Sequence, residues 1–122
     1  MTDKIYSIDE IKHLVAPVAK EFELNEIYLF GSYSRDTANK DSDIDLYIPI
    51  LPSKIGIRYF GMLETLKDTF QKDIDIITDD TIFLSAEEHD KFMLEIMKDR
   101  VIIYIEIVFV QVIRLQRIVI CP

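Results

Sequence analysis

Gly31-Ser32, a gap of ten residues, and then Asp43-Ile44-Asp45 form the stretch of this chain best suited to chemistry. The apolar run Ile27-Tyr28-Leu29-Phe30 leads into the glycine and reads as a strand that delivers Gly31-Ser32 to a tight turn. A small residue there lets backbone amides approach a phosphate. Asp43 and Asp45 open a second strand. Because strand side chains alternate, residues two apart share a face, so both carboxylates can meet the same pair of hard cations. The ligands implied are two metal ions and a nucleoside triphosphate.

The elements that must hold these residues follow from periodicity. Ser7-Ile8-Asp9-Glu10 matches a capping box, with Ile8, Ile11, Leu14, Val15, Val18 and Phe22 at helical spacing behind it. Pro17 lies inside this first helix and should kink or split it, since proline cannot donate to the helical ladder. A strand over residues 26 to 30 follows, then a short helix after Ser32 that carries Arg35, then a loop at Asn39-Lys40-Asp41. The second strand runs from Asp43 to about Pro49, and Tyr59, Leu63, Leu66 and Phe70 mark another helix. In Asp73-Ile74-Asp75-Ile76-Ile77-Thr78 acid and apolar residues alternate again, which puts Asp73 and Asp75 on one face. Ser85-Ala86-Glu87-Glu88 is a second capping box before Phe92, Met93, Ile96 and Met97. Helices between strands give an α/β (α+β) fold, a small mixed sheet with helices packed on one face and acids lining the other.

Composition narrows the partners. A chain of 122 residues forms one domain with a real core but no separate domain to enclose a small acceptor. With 22 acidic and 14 basic residues the formal charge is −8, and no basic cluster stands out, so stable nucleic-acid binding is not expected. Cys121 has no possible intrachain partner, and the first twelve residues are rich in charge rather than signal-like, so the expected compartment is cytoplasmic. His13 and His89 lack metal-ligand spacing, and Tyr33, beside the serine turn, is the one tyrosine placed to stack on a base. Residues 1–104 make up the domain. In the tail, 105–122, twelve of eighteen residues are Ile, Val, Leu, Phe or Cys, yet Glu106, Arg114 and Arg117 interrupt it too often for a membrane span of about 20 apolar residues. An added strand or an interface helix, through which homo- or hetero-oligomers could form, fits that composition.

Gly31-Ser32, Arg35, Ser42-Asp43-Ile44-Asp45-Leu46 and Ile74-Asp75-Ile76 together resemble the minimal nucleotidyltransferases of the polymerase-β-like superfamily, among them the short antitoxins paired with HEPN-type toxins. The resemblance spans roughly residues 5 to 104. It implies that Gly31, Ser32 and Arg35 bind the triphosphate of ATP, that Asp43, Asp45 and Asp75 hold two Mg²⁺ ions and do the catalysis, and that AMP passes to a hydroxyl of a partner protein, a HEPN toxin tyrosine. Asp73 shares the predicted face of Asp75, and the resemblance favours Asp75. Arg35 has a plainer alternative, an ion pair with Asp36 or Asp41, and Lys40 is a second cation within reach of phosphate. Asp36 departs from the family pattern, where glycine often follows the arginine, and so does Lys40, where proline is common. The competing functions are occlusion of a partner without chemistry and nucleotidyl transfer to a small molecule.

Overall fold

The computed structural model describes residues 2–82 and 86–106. Ser7 and Glu10 form the expected capping box, Glu10 N–H donating to Ser7 Oγ at 3.1 Å and Ser7 N–H to Glu10 Oε1 at 3.0 Å, and they start α1, Ile8–Glu21. The helix is not split at Pro17. Pro17 lies on its exposed side, where the carbonyl left without a donor can turn to water. Then come β1 (Glu26–Phe30), β2 (Ile44–Tyr47), α2 (Arg58–Phe70), β3 (Ile74–Ile77), the short α3 (Asp79–Ile82), α4 (Ala86–Asp99) and β4 (Val101–Ile105). The second expected capping box begins at Ser85, outside the described residues, as does the tail beyond Glu106.

The four strands form one sheet in the order β3-β2-β1-β4. β1 runs antiparallel to β2 and β4, and β2 runs parallel to β3, so the sheet is mixed as expected. Alternation sorts its side chains by face. Ile27, Leu29, Ile44, Leu46 and Ile74 meet α1 and α2 in the main core, with Ile11, Val15, Met62, Leu66 and Phe70 fully buried against them. The opposite face carries Tyr28, Phe30, Tyr47 and Ile77, and Ile96 and Met93 of α4 pack on it. Thus α1 and α2 occupy one face as expected, while α4 covers part of the other. Asp45 and Asp75 belong to that second face, beyond the apolar cluster.

One expected element is absent. Residues 31–36 form turns, with no helix after Ser32. Arg35 N–H donates to Gly31 O at 3.2 Å as in a first helical turn, but Thr37 N–H reaches Ser32 O at 2.9 Å and Asp36 adopts φ +58°. A left-handed residue ends a right-handed helix. Glycine is the residue that adopts such a conformation without strain.

Candidate active site

Three elements meet at the end of the sheet. β1 ends at Phe30, which pairs with Asp45 of β2, and Asp45 in turn pairs with Asp75 of β3 in parallel register. Both acids therefore project from neighbouring strands on one face. Asp43 lies one residue before β2, where Ile44 N–H donating to Asp73 O at 3.0 Å begins the ladder.

Gly31 turns the chain over Asp45. Its φ is +73°, and a Cβ at this position would stand 2.2 Å from Asp45 Oδ2. Both observations require glycine, one for the backbone angle and one for the space that the carboxylate takes. The Gly31 carbonyl accepts Ser34 N–H at 3.2 Å, Arg35 N–H at 3.2 Å and the Ser34 hydroxyl at 2.8 Å, which folds the turn tightly. Ser32, half-buried, sits within it.

The carboxylates crowd one another. Burial, the neighbouring charge of Asp75 and a hydrogen bond shared with it push the Asp45 carboxyl up to about 6, against 3.8 ordinarily, while Arg35 opposes the rise. Asp43 is raised too, by burial first and then by Asp75 and Asp73, with Lys72 opposing. Asp75 thus bears on both other acids, and Asp73 on Asp43 alone. Among the described residues no three His, Cys, Asp or Glu side chains stand close enough to cage a metal unaided. Magnesium does not demand such a cage, because it takes one or two carboxylates and completes its shell with phosphate and water. A set of hard oxygens, crowded enough to disfavour their charged forms, fits a hard cation that would relieve the repulsion.

The cations lie differently from the sequence expectation. Arg35 pairs with neither Asp36 nor Asp41; its Nη1 donates to Asp99 Oδ2 at 3.1 Å, at the end of α4. About half of its side chain, 52%, stays exposed. Asp99 is 64 positions away, and no local pattern announces the pair. Tyr33 is buried at 4% exposure in the main core and so is not available to stack on a base. Lys72, absent from the sequence expectation, is buried at 4% exposure beside Asp43 and Asp73. Alternation from Ile74 and Ile76 carried that signal, since it places residue 72 on the core side.

The family described as Polymerase beta, Nucleotidyltransferase matches residues 12–106. The chain belongs to this family. It is an enzyme of the nucleotidyltransferase class. Two proteins of Methanocaldococcus jannaschii, provisionally designated protein adenylyltransferases, are similar to it: one is 26% identical over 86 residues, covering 67% of this chain and 100% of its own, and the other 26% identical over 76 residues, covering 62% and 82%. Solved structures share the fold. A toxin–antitoxin crystal structure with AMP-PNP superposes with a TM-score of 0.59 at 18% identity, over 89% of this chain and 94% of that one. The toxin–antitoxin MntA-HepT gives 0.52 at 15% identity, over 89% and 92%. No helix among the described residues is long and apolar enough to cross a membrane.

Proposed function

We propose that this nucleotidyltransferase moves AMP from ATP to a hydroxyl of a partner protein, and that the partner is a HEPN-type toxin which it silences as a cytoplasmic antitoxin. The observation that carries the reading is the stacking of the Gly31 turn on Asp45, itself paired with Asp75 across the parallel ladder. A triphosphate held by the turn would lie with its α-phosphorus beside the acids. The designation of the similar proteins as protein adenylyltransferases, and the toxin–antitoxin pairs among the structures of the same fold, support the acceptor and the role. A net charge of −8 suits a basic partner.

In this reading Asp43, Asp45 and Asp75 would hold two Mg²⁺ ions. When bound, such a pair offsets charge on the attacking and leaving oxygens of an in-line displacement. The chain's own groups do the rest. Backbone amides near Gly31, the Ser32 hydroxyl and the exposed part of Arg35 orient the β- and γ-phosphates. The acceptor oxygen forms a bond to the α-phosphorus, the bond to the β-phosphate oxygen breaks, and pyrophosphate departs. Asp75, exposed at the sheet end, takes the acceptor's proton. The product is an AMP ester on the partner, a tyrosine in the case expected.

Incubating the protein with a HEPN-type toxin, ATP and Mg²⁺ tests this by intact mass. Each transfer should add about 329 Da, the mass of an adenylyl group, to the toxin. A toxin silenced by stoichiometric mixing with no added mass would establish occlusion instead.

A further inference from the structure

Lys72 is the described charged residue that the fold buries most completely, at 4% exposure. Burying an ammonium is costly unless its donors are satisfied. Here they go to backbone: Nζ donates to Lys40 O at 2.9 Å and to Thr2 O at 3.4 Å. Neither acceptor lies in a helix or a strand. Lys72 thus ties two irregular segments to the residue two positions ahead of β3, next to a cavity of about 160 Å³ bounded by Asp41, Asp43 and Asp73.

The Lys40 segment is a closed unit. Ser42 N–H donates to Asn39 O at 3.1 Å, Asn39 N–H to Ser42 Oγ at 2.9 Å and Asp41 N–H to Asn39 Oδ1 at 2.8 Å. Asp43 follows directly, outside β2. Its backbone is therefore held from two sides: Ile44 N–H enters the ladder at Asp73 O, and the Asn39–Ser42 turn is held to the same strand end by the Lys72 ammonium. The other two acids are strand residues paired with each other and need no such anchor.

We infer that Lys72 is a positioning residue, which fixes Asp43 against Asp75 by anchoring the Asn39–Ser42 turn so that the carboxylates can take a divalent cation together. The inference rests on the proposed roles of Asp43 and Asp75. Position and charge make opposite predictions here. As a charge alone, an ammonium beside acids repels a cation, and its removal would tighten metal binding. As an anchor, its removal loosens Asp43 and weakens metal binding. Supporting groups around metal ligands are typically worth about 10–100-fold in affinity.

The test titrates the full chain with Mn²⁺ alone, read by electron paramagnetic resonance, in wild type, Asp43→Asn, Lys72→Met, Lys72→Gln and Lys72→Arg. Lys72→Met should weaken Mn²⁺ at least about tenfold, and Lys72→Arg, which keeps cationic donors near the carbonyls, should recover most of the loss. Lys72→Gln keeps a neutral donor too short for both carbonyls and should fall between, so it carries the test by itself if Lys72→Met does not fold. Mn²⁺ affinity in Lys72→Met or Lys72→Gln equal to or above that of wild type overturns the inference. Asp43→Asn binding Mn²⁺ like wild type would instead overturn the site assignment, and the inference with it.

Discussion

Replacing Asp45 with Asn should stabilise the metal-free protein at neutral pH and disable it when metal is supplied. The carboxyl titrates at about 6 in the fold, against 3.8 ordinarily, because burial and Asp75 disfavour its charge. A folded-state value above the unfolded one means that this group's stabilising contribution is full below about pH 3.8 and is lost as pH rises through about 6. The gap of about two pH units corresponds to about 3 kcal/mol at about 1.4 kcal/mol each, and solvent screening of a partly exposed group reduces it to about 1–2 kcal/mol. Asn has the same shape, fits under Gly31, and can donate to Asp75. Urea denaturation without metal should therefore find Asp45→Asn more stable by about 1–2 kcal/mol near pH 7.5, with the gap closing near pH 4. Adding Mn²⁺ at about a hundred times its dissociation constant should stabilise wild type by about 2.7 kcal/mol and the variant far less, reversing the order. A variant less stable than wild type at neutral pH without metal, or a gap independent of pH, would refute the crowding argument.

Other outcomes follow from the same geometry. Gly31→Ala should cost at least about 2 kcal/mol and weaken ATP binding, since φ +73° and the 2.2 Å approach to Asp45 Oδ2 both oppose a Cβ; an unchanged melting temperature would refute it. Asp75→Asn should lower transfer by orders of magnitude, with Asp73→Asn mild, because Asp75 faces both other acids and Asp73 only Asp43; single-turnover rates in the reverse order would move the role to Asp73. Asp36→Gly should stabilise the protein by about 0.5–1 kcal/mol by relieving φ +58°, as thermal unfolding can show; a loss of stability would mean that the Asp36 side chain supports the turn.

The elements with strong local patterns were legible in the residues alone. The Ser7–Glu10 box and the apolar spacing behind it placed α1. Alternation placed β2 and β3 and put Asp45 and Asp75 on faces that could meet. The short helix expected after Ser32 failed because the conformation of Asp36 is set by closure of the turn, which competes with helical propensity. Tyr33 departs from the expectation for a related reason: the turn sends its ring into the core, and neighbours in sequence do not reveal which way a turn residue points.

Residue type and spacing by themselves determined the class of this chain, a nucleotidyltransferase, since a glycine–serine turn between strands and acids at alternating positions need only local geometry to be recognised. Tertiary structure alone decided which acids touch, that Arg35 is held by Asp99, and that Lys72 is buried against the carbonyls of Lys40 and Thr2. Those facts depend on strand order and on contacts between positions 32 to 70 apart. Such contacts are fixed by how the whole sheet and its helices pack, which no window of sequence contains.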